Sequence, residues 1–122
     1  MLGEKIARHD AACWLVNTGW SGGAYGTGSR MSIKVTRGLL RAALDGSLAK
    51  VDFVRDPFFG LMMPKAVPGI ASDVLNPREA WADKAAYDRT AANLVGLFEK
   101  NFATFAGAVS EDVKAAAIRA AA

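Results

Sequence analysis

The chain has 122 residues, enough for one domain or for a piece of a larger one, and 52% of them are hydrophobic while 22% are charged. The net charge of +3 arises from interspersed positive and negative residues, which excludes the strongly basic surface of a nucleic-acid-binding protein. No apolar stretch approaches the roughly 18 residues that a membrane-spanning helix needs, and the N-terminus lacks the layout of a signal peptide. We therefore expect a soluble protein with neither nucleic-acid nor membrane partners.

The only cysteine and the only histidine limit the redox and metal chemistry. Cys13 lies in the apolar run 11–16 and cannot form a disulfide within the chain, which fits a reducing, cytoplasmic compartment. We expect Cys13 to be a small buried residue on a strand and not a reactive thiol. His9 has no second histidine with which to hold a metal ion, so we expect a surface residue at a helix end and predict no metal site.

The first predicted helix and strand suggest that the chain is a fragment of a larger domain. The spacing of Leu2 and Ile6 predicts a short helix over residues 2–8. The continuous apolar run 13–16 is typical of a strand that is covered on both faces. A helix that leads directly into such a strand lacks the strand that should precede it, which favours a fragment.

Five of the 15 residues between Asn17 and Met31 are glycine. Glycine at this density indicates unusual backbone angles or a close approach of the backbone to something else. The aromatic residues Trp20 and Tyr25, with Arg30 near the end, suit a loop that binds a ligand. Composition alone leaves a surface loop without a ligand equally open.

The glycine spacing in residues 23–30 is that of a Walker A phosphate loop. That motif requires Lys and then Ser or Thr after its last glycine, on a turn that opens a helix, but this sequence has Ser29 and Arg30 followed by an alternating pattern. The glycines do not fit a dinucleotide-binding fingerprint either. No carboxylate pair, nucleophile with a base, or set of metal ligands is visible, so we predict no catalytic residue.

The middle of the chain predicts short strands around one helix. Residues 31–35 alternate like a half-exposed strand, and Thr36 is a candidate N-cap for a helix that runs to Leu44 and ends at Asp45-Gly46. Strands are predicted at 51–55 and 58–63. The proline-rich segment 64–81 is too apolar for a free linker, and we interpret it as an extended strap packed on the surface.

The last third is predicted to be helical. Asp83 is a candidate N-cap for a long helix over 84–105, whose apolar stripe we expect to pack on the core: Tyr87, Ala91, Leu94, Phe98, Phe102 and Phe105. Ser110 is expected to start a final helix, followed by an alanine-rich helical tail over 115–122. The order of elements predicts an α/β (mixed α+β) fold with a long C-terminal helix packed on a small mixed sheet.

Arg30 and Thr36 are the residues with most scope for binding. A guanidinium at the edge of a glycine-rich loop can stack on a planar base, and a threonine at a helix start presents its hydroxyl beside free backbone N–H groups. Together they could hold a nucleotide base or ribose. The alternative is that Arg30 is a surface charge and Thr36 only a helix cap.

The stretch LVNTGWSGGAYGTGSRMSIKVTR, residues 15–37, closely resembles a block of ATP-dependent phosphoenolpyruvate carboxykinase. The likeness continues in order through DPFFG at 56–60, VPG at 67–69, LNPR at 75–78 and WAD at 81–83, and then into the long helix. It covers essentially the whole chain. The family enzyme is several-fold longer, so residues 1–122 resemble the C-terminal segment of its nucleotide-binding domain.

The resemblance implies a specific reaction and a specific part of the site. The family converts oxaloacetate and ATP to phosphoenolpyruvate, ADP and carbon dioxide in gluconeogenesis, with Mg²⁺ and Mn²⁺. In the family pattern, the residues that match Arg30, Met31 and Thr36 contact the base and sugar of ATP. The phosphate loop, the Mn²⁺ ligands and the oxaloacetate-binding arginine match nothing in this sequence, so no catalytic or metal residue is carried over.

Ser29 departs from the family pattern, in which many members have lysine at this position, and we expect an altered local charge. The isolated chain is expected to be catalytically inactive and to self-associate through exposed apolar surface. The competing class is a non-catalytic module, either one that binds nucleotide or one that serves as a structural piece of an assembly.

Overall fold

A computed structural model describes residues 2–119 as a mixture of helices and short strands, which confirms the mixed α/β composition. The α-helices are α1 (Leu2–His9), α2 (Ile33–Leu44), α3 (Pro77–Ala80), α4 (Lys84–Phe102) and α5 (Glu111–Ala115). The strands are β1 (Trp20–Ser21), β2 (Ser29–Arg30), β3 (Phe53–Arg55) and β4 (Met62–Pro64). Short 3₁₀ turns occur at Leu48–Lys50, Ser72–Val74 and Ala106–Ala108.

The strands form two separate antiparallel pairs. Strand β1 pairs with β2, so that Trp20 lies opposite Arg30, and β3 pairs with β4, so that Phe53 lies opposite Pro64. The prediction of one small mixed sheet is therefore wrong for the described residues. Each pair consists of two strands that are consecutive in the sequence, and such a hairpin requires no pairing with a distant segment.

The turn between β3 and β4 is built around a buried aspartate. The Asp56 carboxylate accepts the backbone N–H groups of Phe58, at 2.9 Å, and Phe59, at 2.6 Å. The Asp56 N–H in turn donates to the Leu61 carbonyl at 2.8 Å. Because these bonds fold residues 58–60 into a turn, the strand predicted over 58–63 begins only at Met62.

Helix α2 begins earlier than predicted. Ser32 is its N-cap, and the Ser32 hydroxyl accepts the N–H of Val35 at 3.3 Å. The strand predicted at 31–35 and the N-cap predicted at Thr36 are both wrong, since the alternation of Ile33 and Val35 occurs within the first helical turn. The end of the helix is as predicted, with Asp45 as C-cap and Gly46 at φ 78°.

One small core lies under α2. Ala42, Leu48 and Val67 are buried there, and the half-buried side chains around them are Leu39, Ala43, Val51, Ile70 and Leu75. Val67 therefore attaches the segment 64–81 to the core, as expected. That segment is not an extended strap throughout, because it contains a 3₁₀ turn and α3.

Helix α4 begins at the predicted cap, where the Asp83 carboxylate accepts the N–H of Ala86 at 2.9 Å. Its buried face consists of Tyr87, Ala91 and Val95. The predicted stripe is therefore only partly a core face: Leu94, Phe98 and Phe105 are 41%, 43% and 55% exposed. The helix ends at Phe102, before the predicted end at residue 105.

Aromatic contacts attach α4 to the β3–β4 turn. The ring of Tyr87 meets Phe58 edge-to-face, with centroids 6.0 Å apart, and Trp81 at 5.6 Å. Phe98 meets Phe59 at 6.3 Å. These geometries are the favourable ones for aromatic pairs, and because Tyr87 and Phe98 lie in different halves of the helix, the contacts fix its position along most of its length.

The ends of the chain differ in how well they match the predictions. Helix α1 is confirmed, and α5 begins after Ser110 as expected. The predicted helical tail is wrong for the part that is described, because α5 ends at Ala115 and residues 117–119 are irregular. The remainder of the predicted tail lies outside the described residues.

Residues 11–18 do not form the predicted strand. They have no regular secondary structure, Cys13 is exposed and Leu15 is 83% exposed, so the expectation of a buried Cys13 is wrong. Within the described part of the chain, the backbone N–H and C=O groups of residues 12–18 have no hydrogen-bond partner. A strand requires a neighbouring strand, and none of the strands within residues 2–119 pairs with this segment.

The molecule as a whole exposes much surface for its mass. Its accessible area is 9255 Å², whereas a compact monomer of 12.9 kDa exposes about 6,300 Å². Among the described residues, the buried hydrophobic side chains are Ala42, Leu48, Val67, Tyr87, Ala91 and Val95. The fold thus buries only a small core and leaves broad apolar faces open.

Candidate functional site

The glycine-rich stretch forms the tight loop of the β1–β2 hairpin. The N–H groups of Thr27 and Gly28 both donate to the Ala24 carbonyl, at 3.0 and 2.9 Å. A Cβ placed on Gly28 would lie 2.5 Å from the Gly23 carbonyl oxygen and 2.7 Å from that of Ser21. The loop is therefore packed against its own backbone, which gives the glycine density a reason that requires no ligand.

The same loop contacts the C-terminal end of α3. Gly22 has φ 79°, and a Cβ placed there would lie 3.0 Å from the Ala80 carbonyl oxygen. This backbone conformation and this contact both favour glycine. Gly22 thus brings the hairpin loop against a helix that is more than 50 residues away in sequence.

Helix α3 is held to α4 by charged side chains. The Arg78 guanidinium forms two parallel bonds to the Asp88 carboxylate, at 2.8 and 3.0 Å. The hydrogen bond from Arg78 lowers the pKa of Asp88 and, reciprocally, raises that of Arg78. The Lys84 ammonium donates to the carbonyls of Glu79 and Trp81 at 2.7 and 3.0 Å, so the last turn of α3 has defined partners.

Arg30 lies on β2 with a free guanidinium. Its side chain is exposed, and it forms no hydrogen bond or ion pair with any residue from 2 to 119. It is the cross-strand neighbour of Trp20, so the two side chains share one face of the hairpin. The Trp20 ring is 48% exposed and meets Tyr25 edge-to-face at 5.1 Å. This face offers a cation beside aromatic rings, a surface suited to a planar ligand.

Met31 and Thr36 lie where the hairpin leads into α2. Met31 is half-buried, and its backbone N–H donates to the Gly19 carbonyl at 3.1 Å, which extends the β1–β2 pairing by one bond. Thr36 is half-buried in the first turn of α2, and its hydroxyl donates to the Ser32 carbonyl at 3.2 Å. The hydroxyl proton is therefore used within the helix, while the oxygen lone pairs remain free to accept.

The structure places Arg30, Met31 and Thr36 at one junction, between β2 and the N-terminus of α2. Basic side chains surround it: Arg30 precedes the helix, and Lys34 and Arg37 follow in its first turns. None of these three has an acidic partner in the part of the chain that is described. The positive end of the helix dipole is at the same place, so the local field favours an anionic ligand.

Two open hollows lie elsewhere on the surface, and the second of them begins at Arg37, beside the junction. One, of about 420 Å³, lies between the β3–β4 pair and α3, and its rim includes Lys65, Asp73 and Glu79. The other, of about 480 Å³, follows the C-terminal half of α2 past Arg37 and Arg41. Neither hollow is lined by Arg30, Met31 or Thr36.

Residues 2–119 contain neither a cluster of metal ligands nor a membrane-spanning helix. No three side chains of His, Cys, Asp or Glu within residues 2–119 converge as metal ligands would, so these residues do not fit a Mg²⁺ or Mn²⁺ site. No helix in this range is long and apolar enough to cross a membrane.

Sequence reasoning missed one helix cap and two longer-range contacts that shape this region. Ser32 was available as a cap, because serine is at least as good an N-cap as threonine and precedes the apolar residues of the helix. The Arg78–Asp88 pair and the contact of Gly22 with Ala80 carry no such local signal, since each joins elements that are separated along the chain.

The matches to known proteins agree with the resemblance noted in the sequence. A family model described as phosphoenolpyruvate carboxykinase matches residues 1–73. "Phosphoenolpyruvate carboxykinase (ATP)" of Rhodopseudomonas palustris (strain HaA2) is 62% identical over 117 residues, which are 96% of this chain and 22% of that protein. The protein of the same name from Ruegeria sp. (strain TM1040) is 62% identical over 118 residues, or 97% and 22%.

The family model covers more than half of the chain, so the protein is a member of the phosphoenolpyruvate carboxykinase class. The chain belongs to the ATP-dependent phosphoenolpyruvate carboxykinase family. It spans about a fifth of the length of the curated relatives that it matches, 22% in each of the two described above. The resemblance that the sequence carries in its glycine-rich block is thereby confirmed.

Proposed function

We propose that this chain supplies the base and ribose side of the ATP site of an ATP-dependent phosphoenolpyruvate carboxykinase, and that it is inactive without the rest of that enzyme. The observation that carries the proposal is the guanidinium of Arg30, which has no partner within the described residues and is exposed on the same hairpin face as Trp20. A surface arginine that has no partner among residues 2–119, two residues before a helix N-cap, is available for a ligand.

In this proposal Arg30 binds the adenine base. The delocalised guanidinium plane stacks on the base, an interaction worth about 0.5–2 kcal/mol. The half-buried Met31 packs at the edge of the base and limits its movement. The backbone bond from Met31 to Gly19 fixes the position of both residues relative to the hairpin.

Thr36 orients the base through its oxygen. Because its proton is donated to the Ser32 carbonyl, the hydroxyl can only accept from the ligand, and the exocyclic amino group of adenine is a suitable donor. This differs from a threonine at the N-cap, which would direct its hydroxyl to backbone N–H groups. The role is therefore recognition of an amino group on the base.

The remaining chemistry is assigned to residues outside this chain. In the family reaction, oxaloacetate loses carbon dioxide, and the resulting enolate oxygen takes the terminal phosphoryl group of ATP to leave ADP. The divalent cations would neutralise phosphate charge, but no set of ligands for them occurs among residues 2–119. This chain then contributes by fixing one end of the nucleotide, so that the other end is positioned for transfer.

The test uses a chimera in which this chain replaces the matching segment of the R. palustris (strain HaA2) relative. Arg30→Ala should raise the KM for ATP by about 2- to 30-fold, the equivalent of the lost stacking, and leave the KM for oxaloacetate unchanged. Arg30→Lys should recover little, because lysine keeps the charge but lacks the plane. Arg89→Ala, at an exposed arginine on α4, is the matched control. An unchanged KM for ATP in Arg30→Ala would contradict the proposal.

Calorimetric titration of the chain alone with ATP distinguishes a segment that binds nucleotide from a purely structural module. A nucleotide-binding segment should release heat that is lost in Arg30→Ala, whereas a purely structural piece should release none. Carboxykinase assays of the chain alone should show no turnover, since it holds only one side of the site. Turnover by the isolated chain would refute the assignment of the remaining steps to another part of the enzyme.

A further inference from the structure

The β1–β2 hairpin contacts a helix that is too short to be stable alone. Gly22 directly follows β1, and a Cβ placed on it would lie 3.0 Å from the Ala80 carbonyl oxygen at the end of α3. Helix α3 has only four residues. Isolated helices shorter than about 12–15 residues are marginal in water, so the position of α3 must come from side chains of other elements.

Lys84, the first residue of α4, bonds the C-terminal end of α3. Its ammonium donates to the carbonyls of Glu79 and Trp81, at 2.7 and 3.0 Å, and lies 3.4 Å from the Glu79 carboxylate. An ammonium has three protons, and here each has an acceptor within reach. The last carbonyls of a helix have no partner inside the helix, so a cation at this end stabilises them.

The two carbonyls that Lys84 holds belong to the residues on either side of Ala80. Peptide groups are rigid planes, so holding the groups before and after Ala80 leaves its own carbonyl little freedom to turn. That carbonyl is the one that Gly22 contacts. The bonds from Lys84 therefore fix the surface against which the hairpin loop packs.

Helix α4 does not itself explain the place of this lysine. A cation at the N-terminus of a helix is opposed by the dipole of that helix. The Lys84 side chain is 37% exposed, so the ammonium has access to water, yet it extends to the backbone of α3. The cost to α4 and the direction of the side chain both favour a role in fixing α3.

We propose that Lys84 is a positioning residue: by holding the end of α3 against Gly22, it keeps the β1–β2 hairpin and Arg30 in place for the nucleotide. Gly22 adjoins Ser21, whose cross-strand partner Ser29 precedes Arg30, so a shift at Gly22 displaces the guanidinium. The part that concerns the nucleotide rests on the proposed function. The part that concerns the hairpin does not, and it is tested separately.

Amide exchange of the chain without nucleotide tests whether Lys84 fixes the hairpin. The N–H groups of Thr27, Gly28 and Met31 are hydrogen-bonded in or beside the hairpin. In Lys84→Met they should exchange about 2- to 12-fold faster relative to the amides of α2, the equivalent of one lost hydrogen bond. Lys84→Arg should restore slow exchange, because a guanidinium can donate to both carbonyls. Unchanged exchange in Lys84→Met would overturn the proposal.

Lys114→Met is the matched control. The Lys114 side chain is 34% exposed, and its ammonium lies 2.7 Å from the Glu111 carboxylate within α5. The control thus removes a lysine of similar exposure and bonding that does not contact α3 in this way. Hairpin exchange should stay at the wild-type rate in Lys114→Met. Equal acceleration by Lys84→Met and Lys114→Met would overturn the proposal.

Kinetics of the chimera described above test the consequence for the nucleotide. Lys84→Met should raise the KM for ATP about 2- to 12-fold, the cost of ordering one contact side chain on binding. The kcat and the KM for oxaloacetate should not change, and Lys84→Arg should restore the KM for ATP. A purely structural role would instead lower the apparent kcat through loss of folded enzyme and leave both KM values as they are, which would overturn the proposal.

Arg30→Ala in the same chimera separates this proposal from the proposed function. If Arg30→Ala raises the KM for ATP and Lys84→Met does not, the positioning role is overturned while the nucleotide assignment stands. If neither variant raises it, the nucleotide assignment fails, and the amide exchange of the hairpin decides whether Lys84 positions it.

Discussion

At Gly28 the hairpin loop crosses its own backbone with no room for a side chain. The three obstructing atoms all belong to the main chain: the carbonyl oxygens of Gly23 and Ser21, at 2.5 and 2.7 Å from where a Cβ would lie, and the Gly23 nitrogen at 2.9 Å. Backbone atoms cannot rotate away as the end of a flexible side chain can. The loop that carries Arg30 on its second strand therefore depends on this glycine.

Gly28→Ala should destabilise the chain by about 1–3 kcal/mol, the range for overpacking. Gly96→Ala is the matched control: Gly96 lies in α4 with nothing within 4 Å of a new Cβ, so alanine should stabilise the chain by up to about 1 kcal/mol. Urea unfolding of both variants measures the change in the free energy of unfolding, which should be negative for Gly28→Ala and positive for Gly96→Ala. A Gly28→Ala variant as stable as wild type would show that the loop can open without cost.

Single residues were predictable from sequence where their partners are local. Asp83 and Gly46 perform the predicted capping roles, because a cap acts on the backbone within three or four residues. The reason for the glycine density was not predictable, since it depends on Gly28 meeting Gly23 and Ser21 after the loop has closed. The assignment of Arg30, Met31 and Thr36 to the nucleotide came from the family pattern and stays a prediction.

At the scale of elements, α4 depends on a tyrosine that is buried among aromatic rings. Burial raises the pKa of Tyr87 above its usual value of 10.0, and the nearby carboxylate of Asp56 adds to the effect. The folded state then holds the phenol proton more tightly than the unfolded state does. The stability linked to this group is complete below pH 10 and is lost as the pH rises through the folded pKa.

Tyr87→Phe should therefore reduce the loss of stability in alkali. Its midpoint of urea unfolding should be close to that of wild type at pH 7 and should fall less between pH 9 and 11, since phenylalanine cannot ionise. Tyr25→Phe, at a tyrosine that is 84% exposed, is the control and should follow the wild-type curve. Parallel curves for Tyr87→Phe and wild type would contradict the ionisation argument.

The boundaries of elements show where the sequence was ambiguous. Ile33 and Val35 satisfy both an alternating strand and one turn of helix, and Ser32 decides between them by accepting the N–H of Val35. Residues 58–60 are apolar enough for a strand, yet the Asp56 carboxylate takes two of the N–H groups and forms a turn. In each case one short polar side chain overrides an apolar pattern.

At the scale of the molecule, the expectations that failed are those that need distant surface. The run 13–16 has the composition of a buried strand, and Leu94, Phe98 and Phe105 have the spacing of a core face, but none of these residues is buried. An apolar sequence pattern indicates which side chains could be buried. Whether it is buried depends on a surface that the described residues do not provide.

Because folding buries little surface area, the heat capacity of unfolding and the urea m-value should both be low. An unfolded chain of this mass exposes about 18,700 Å², so folding buries roughly three-quarters of the area that it would bury in a compact monomer. The heat capacity of unfolding follows the exposed area and is about 1.6 kcal/mol/K for a compact domain of this length. We expect about 1.2 kcal/mol/K for this chain by scanning calorimetry, and a urea m-value lowered in the same proportion.

The measurement must be made at low protein concentration, because self-association through the open apolar faces would itself bury area and raise both the heat capacity and the m-value. A heat capacity at the full compact value in a dilute monomer would mean that these faces are closed in solution.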